Sequence, residues 1–401
     1  MWIDREIIQE LQRPTEAYIQ ILIGPRQCGK SSLLWYIGKD RYKEITFDDM
    51  QMRNLAEKDP AFFLSQQKLP LIIDEVQYAP NIFPELKKIV DAIKKETLSG
   101  KPPHARPLFR LTGSNQILMD KNIKETLAGR AEYYYLNTLT VSEILKAFPS
   151  LNPHEILIKG GWPEIYTGAG LNTVRYLNDY IRNFIEKDIV LSSGISKQKE
   201  FNTVLGMLAA RSGEYLNCSA IANASGVKSV TVKEWVSVLE RTGLVYLLQP
   251  VEKNLNKRLI RSPKIYFLDT GLTARLQGWT ELQPLMLSPQ AGHLFESLVL
   301  SEIVKFSANS GKYLKISVWR TKEGEEVDFV VEGPNGRAAA FDSKMGIHSV
   351  QPESIPPSFA KSFPEIKELV IVSIGGERKY ISPGCLQVPI SNLTEYLKEL
   401  F

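Results

Sequence analysis

The 401-residue chain is poor in the residue types from which several common sites are built. Its three cysteines, Cys28, Cys218 and Cys385, lie far apart and in no CxxC spacing, which excludes a disulfide framework and a thiolate zinc site. Four scattered histidines add no imidazole cluster. No apolar run approaches the roughly 20 residues that a membrane span needs. The first residues, MWIDREIIQELQR, are charged and helical in pattern, without the apolar core of a signal segment. A soluble cytoplasmic protein with no membrane partner is therefore expected. Neither sign of charge dominates: 49 Lys and Arg face 45 Asp and Glu, a net charge of +4. That balance permits a nucleic-acid partner without arguing for one. Internal repeats and low-complexity tracts are absent. What remains is a chain with 43% hydrophobic residues, long enough for two or three domains with sizeable cores.

From Ile19 to about Leu136, short apolar runs bounded by turns alternate with helical patterns. The runs YIQILIG, YKEITFD, LPLIIDE, PLFRLTG and YYYLN read as strands. One intervening helix places Ile82, Leu86, Ile89, Val90 and Ile93 on a single face. Strands and helices in alternation imply a parallel sheet covered on both sides. From about Thr140 to Ser193 the pattern is mostly helical. Beyond Lys199, TVKEWVSVLERTG reads as a helix opened by Thr231 and Glu234 in capping-box spacing, with Trp235, Val238 and Leu239 aligned. LVYLLQP and KIYFLD follow as two strands around a basic connection. The last section combines the helix LFESLVLSEIVKF with the strands ISVWR, EVDFVVE, AAAFDSK and ELVIVSI.

The segment from Gly24 through Pro25, Arg26, Gln27, Cys28, Gly29 and Lys30 to Ser31 and Ser32 sits between the first strand and a helix. It fits the spacing G-x-x-x-x-G-K-[ST]. Glycines let the backbone curl so that successive N–H groups face a phosphate chain, and the following helix adds its positive N-terminus. Lys30 would reach the outer phosphates, and the Ser31 hydroxyl would hold Mg²⁺. About forty-five residues on, LPLIIDEVQ ends in Asp74 and Glu75. In a nucleotide hydrolase Asp74 would hold Mg²⁺ through water, and Glu75 would orient or deprotonate the attacking water. Arg130, in TLAGRAE, is a candidate arginine finger, acting within its own subunit or toward a neighbour in a homo-oligomer.

GPRQCGKSSLL, LIIDEVQ, LTGSN, LAGRAE, GGWPEIY and SPKIYFLDTGL together resemble a prokaryotic family of AAA-type ATPases, of the archaeal-ATPase and STAND-related branch, with a C-terminal domain of unknown function. The resemblance runs over nearly the whole chain in the same motif order. Cys28 stands where similar proteins often carry valine or serine, and Ser31 where threonine is usual. The resemblance implies ATP as ligand and Mg²⁺ as cofactor. It also implies a polar sensor of the γ-phosphate after the strand FRLTG, at Ser114 or Asn115. For the middle section it implies a winged-helix-like module. There Lys253, Lys257, Arg258, Arg261 and Lys264 would form a cationic stripe suited to DNA or another nucleic acid.

The last section resembles the PD-(D/E)xK nuclease fold. Glu296 lies on a helix, Asp328 inside a strand, and Asp342-x-Lys344 at the end of the next strand, with Asp342 and Lys344 on one face. In that chemistry two carboxylates hold a metal, and the lysine stabilises or activates water. The expected architecture is a P-loop AAA-type α/β core over residues 1–139, a helical lid or linker over 140–198, a winged-helix-like module over 199–284 and a nuclease-like α/β domain over 285–401. Three functions follow as alternatives: an ATPase that switches or drives the appended domains, a nucleotide-gated metal-dependent nuclease, or a non-hydrolysing, nucleotide-stabilised adaptor.

Overall fold

The computed structural model describes residues 1–102, 104–113, 126–189, 195–251, 262–321, 323–346 and 355–401, with the backbone alone at 186–188. Ser114 and Asn115, and the basic residues Lys253, Lys257, Arg258 and Arg261, lie outside the described residues. The chain divides into two compact units. One comprises 5–137 with 308–311, the other 1–4, 138–307 and 312–401. Among the described residues, no helix is long and apolar enough to cross a membrane.

The first unit is built on five strands: β1 (Ile19–Ile23), β2 (Lys43–Thr46), β3 (Leu71–Asp74), β4 (Phe109–Gly113) and β5 (Ala131–Tyr135). They run β5-β1-β4-β3-β2, and every pairing is parallel. All residues of β1, β3 and β4 are buried, as unbroken runs must be when helices cover both faces. Ile82, Phe83, Leu86, Val90 and Ile93 of the helix Ile82–Leu98 go into the core, while Ile89 packs at its margin. Phe83 was not among the expected residues. The first strand lies between the last two, so the chain leaves β1 in one direction for β2 and returns to flank it. Such a reversal opens a crevice at the carboxyl ends of the strands.

The second unit begins with the helix Val141–Ala147, where a capping box joins Thr140 and Glu143. The box expected at Thr231 and Glu234 does not form. That helix runs Ser229–Arg241, with Lys228 as an N-cap that makes no side-chain bond, so Thr231 is already inside it. Gly226 ends the preceding helix, Cys218–Ser225, in the left-handed conformation. The chain then resumes helical geometry early enough to bury Val232, Trp235, Val236, Val238 and Leu239. With the helix Gln198–Ala209 this makes three helices, followed by the antiparallel pair β6 (Val245–Leu248) and β7 (Lys264–Phe267).

A second sheet follows: β8 (Lys315–Arg320), β9 (Glu326–Glu332), β10 (Ala338–Lys344), β11 (Leu369–Ser373), β12 (Lys379–Ser382) and β13 (Cys385–Pro389), in the order β12-β13-β11-β10-β9-β8. Strands β8 to β10 are antiparallel, and β10, β11 and β13 are parallel. Leu294, Phe295, Leu298 and Ile303 of the helix Gln290–Asn309 share a core with Val318, Phe329, Val331 and Phe341. The sequence reading stops short of β12, β13 and the final helix Ile390–Leu400, whose Leu393 and Leu397 complete that core.

One buried carboxylate joins two segments of this unit. Asp269 caps the helix Thr270–Leu276 through the Leu272 N–H at 2.9 Å and accepts the Gly161 N–H at 2.8 Å. Gly160 lies so close that a Cβ there would stand 2.2 Å from Asp269 Oδ1. Asp269→Ala leaves two buried donors without an acceptor and is expected to cost about 2–4 kcal/mol, read from urea unfolding.

Candidate functional site

The loop after β1 takes its shape from three residues with positive φ. Gly24 (φ +153°) lies against β5's exit: a Cβ there would stand 2.1 Å from the Leu136 carbonyl oxygen. Gln27 (φ +61°) turns the chain, and Gly29 (φ +95°) is the left-handed N-cap of the helix Lys30–Gly38. This is the curl that aims consecutive amides at an anion. Pro25 and Cys28 are buried within it, Arg26 donates to the Tyr78 hydroxyl at 3.1 Å, and Gln27 and Ser32 are exposed. Lys30 is buried, its ammonium donating to the carbonyls of Gly24 at 3.1 Å and Pro25 at 2.7 Å.

Ser31 donates to Asp74 Oδ1 at 2.6 Å, which joins the first turn of the helix to the end of β3. Between them lies β4, and its Thr112 hydroxyl donates to the same carboxylate oxygen. The Glu75 N–H in turn donates to Thr112 Oγ1 at 3.1 Å. Glu75 holds φ at +54°, an uncommon value for a residue with a side chain. Its carboxylate accepts from the Gln77 amide. Asp48, just beyond β2, is held above its ordinary pKa by burial and by the carboxylates of Glu75 and Asp74; Arg53 and Arg26 partly offset them. Three acids therefore converge at the carboxyl end of the sheet, a field that favours a cation. A hydroxyl and a carboxylate of this hardness suit Mg²⁺ with its retained waters.

Arg130 lies elsewhere. It immediately precedes β5, whose first residue pairs with Ile19, at the edge of the sheet opposite the loop. There its guanidinium forms a fork with Asp91, with bonds of 2.6 and 2.8 Å. Its own loop is thus a strand's length away.

Thr112, Gln77 and Arg5 were not singled out from the sequence. Thr112 precedes Ser114 and Asn115 in the same polar strand end, which is a signal of position without one of identity. Arg5 has no local signature at all. It is 6% exposed and donates to the Cys28 carbonyl at 2.8 Å and the Asn137 carbonyl at 2.7 Å, so one guanidinium holds the loop to the segment after β5.

In the second unit the structure places the four C-terminal candidates in one neighbourhood. Asp328 and Asp342 are adjacent across β9 and β10, where the Asp328 N–H donates to Asp342 Oδ1 at 2.9 Å. Asp328 Oδ2 accepts from the Ser343 N–H at 2.9 Å and its hydroxyl at 2.8 Å. Lys344 is half-buried two residues along β10. Glu296 accepts from Tyr266 at 2.5 Å and from Lys264 at 3.1 Å. Burial, and Asp328 beside it, push the Glu296 carboxyl up to about 7 against the opposing pull of Lys264 and Tyr266. Lys264 corrects the expected cationic stripe: its ammonium is buried in ion pairs with Glu296 and, at 2.5 Å, with Glu326. Among the described residues, no three acidic, imidazole or thiol groups are placed to hold a metal ion.

Three family models match the chain: an AAA domain over residues 16–145, and domains of unknown function over 151–283 (DUF8612) and 291–393 (DUF4143). Uncharacterized proteins of Mycobacterium tuberculosis and Mycobacterium bovis are each 29% identical over 383 residues, covering 94% of this chain and 81% of theirs. One from Methanocaldococcus jannaschii is 22% identical over 414 residues, covering 92% and 83%. Among solved structures, the Walker-type ATPase of Pyrococcus abyssi aligns with a TM-score of 0.40 at 14% identity, over 69% of this chain and 96% of that one. The first unit has the P-loop α/β fold of AAA-type ATPases, and a separate mixed sheet follows it toward the C-terminus.

Arg5→Ala strips two buried carbonyls of their donor and is expected to lower stability by about 2–4 kcal/mol in urea unfolding. Arg5→Lys should recover only part, because an ammonium cannot reproduce the planar fork.

Proposed function

We propose that the first unit binds ATP in the loop Gly24–Ser32 and hydrolyses it to ADP and phosphate, so as to switch the domains that follow it in the chain. One observation carries this reading. The loop lysine, the helix hydroxyl of Ser31, the strand-end acid Asp74 and the adjacent Glu75 converge at the carboxyl end of parallel strands. The buried ammonium of Lys30, held now by the loop's own carbonyls, is the charge that transfers to the phosphates when they enter. The loop amides, with the N-terminus of the helix Lys30–Gly38 behind them, neutralise the rest.

Ser31 and Asp74 would hold Mg²⁺, which when bound offsets phosphate charge as it spreads in the transition state. Glu75 stands next to Asp74 in the chain, at a turn that its positive φ makes sharp. Its role is to orient and deprotonate a water in line with the terminal phosphoryl group. Thr112 takes the polar position on β4 within the described residues, bonding both Asp74 and the Glu75 amide. It therefore sets the angle between the metal-side acid and the water-side acid. Arg130 could serve only a neighbouring copy, and only after leaving Asp91.

Coupling to the second unit is supported by Arg5. The chain passes between units at 4/5, 137/138, 307/308 and 311/312, and this one side chain ties the first two of these passages to the phosphate loop. A nucleic-acid partner is part of the proposal through the three helices and the β6–β7 pair, a layout similar to winged-helix readers.

Two variants test the reading. Lys30→Ala should abolish the rise in melting temperature that ATP and Mg²⁺ give the wild type. Glu75→Gln should keep that rise while phosphate release falls about 100-fold or more. Wild-type phosphate release indistinguishable from Glu75→Gln would reject hydrolysis and leave a binding module. Turnover unchanged by duplex DNA would reject DNA as the partner that the switch serves.

A further inference from the structure

The acidic neighbourhood of the second unit resembles a metal-dependent nuclease site in sequence, yet its oxygens are differently employed. Such a site needs carboxylates whose oxygens converge on a shared point, where the ion replaces water. Here Glu296 Oε1 accepts from both Lys264 and Tyr266, which lie two residues apart on β7 and share a face. Glu326 Oε1 pairs with Lys264, and Glu326 Oε2 faces Arg320 at 3.4 Å. Asp328 Oδ2 is taken by two donors of Ser343, and Asp342 Oδ1 by the Asp328 N–H. One oxygen of each of Glu296, Asp328 and Asp342 is thus held by a protein donor, and among the described residues no three acids are placed to share a divalent ion.

A buried positive charge in their midst is Lys264, 5% exposed and bonded to acids from the helix Gln290–Asn309 and from β9. The lysine comes from β7 rather than from the sheet β8–β13. An isolated bridge pairs it with Tyr215, and that ring lies 5.7 Å from its ammonium and 5.3 Å from the Arg320 guanidinium. Burial alone would push the ammonium's pKa down; the neighbouring acids hold it above its ordinary range, so it stays charged.

We propose that Lys264 is a tethered counter-ion that takes the cation position of this acidic cluster, so that the C-terminal sheet is a metal-independent element pinned to the β6–β7 pair and not a metal-dependent nuclease. The ammonium satisfies the acids at no cost in metal supply. It also ties the hairpin to the helix and sheet that bear the acids, which a diffusible ion would not do. This inference stands apart from the ATPase reading, since no residue of the Gly24–Ser32 loop enters it.

The test uses the full chain without nucleotide, in the Ser31→Ala, Asp74→Asn background, so that both residues that would hold Mg²⁺ in the first unit are removed. Wild-type cluster residues should give no Mn²⁺ binding in an electron paramagnetic resonance titration, and no Mn²⁺-dependent cleavage of DNA or RNA. Lys264→Met should melt several degrees lower and gain a Mn²⁺ site that restores the melting temperature. Adding Glu296→Gln to it should remove that site. Lys264→Arg, which retains the charge, should still exclude the ion, and provides the folded comparison if the methionine variant does not fold. Mn²⁺ binding or cleavage by the chain with Lys264 intact, lost on Asp328→Asn, would overturn the proposal. A folded Lys264→Met chain that gains no Mn²⁺ site would overturn it too.

Discussion

The hydrogen bond between Ser31 and Asp74 is the contact on which the rest of the first unit's chemistry depends. It joins the first turn of a helix to a strand two places away in the sheet, across the intervening β4. Its length of 2.6 Å is possible only if β1, β4 and β3 hold their register. A slip of one residue would turn Asp74 to the other face of the sheet and strand Thr112 with it. Burial enforces the register, because β1, β3 and β4 expose no residue that could tolerate the exchange. Packing of apolar strands thus decides where a hydroxyl and a carboxylate meet.

The same logic extends to Arg5. A buried guanidinium is expensive unless its donors are used, and here they reach carbonyls at 2.7 and 2.8 Å. Both carbonyls belong to segments that shape the phosphate loop: Cys28 within it, and Asn137 just after Leu136, whose own carbonyl closes on Gly24. The loop is therefore held from outside its motif.

The second unit solves a different electrostatic problem. Adjacent antiparallel strands carry Asp328 and Asp342 side by side, an arrangement that repels. Backbone and hydroxyl donors from Ser343 offset part of that repulsion, and Lys264 with Arg320 offsets the charge of Glu296 and Glu326. The spacing of the acids is legible in one dimension; their partners are not.

Several elements were readable from the chain itself. Five apolar runs became the five parallel strands, and the helix Ile82–Leu98 shows the periodic face that its sequence displays, because burial on a covered sheet leaves no other pattern. The glycine spacing from Gly24 to Gly29 was legible for a similar reason: a Cβ at Gly24 would strike the Leu136 carbonyl, and the left-handed backbone at Gly29 favours glycine. Local capping was less legible. Thr231 has the right neighbours in sequence, but core packing starts the helix at Ser229 and places the working box at Thr140 instead. What only the tertiary structure decided are the long-range polar pairings: Arg5 with Cys28 and Asn137, Thr112 with Asp74, Lys264 with Glu296 and Glu326. Periodicity reports which face of an element is buried. It carries no information on which charged group from a distant segment will be needed to satisfy the polar atoms buried with it.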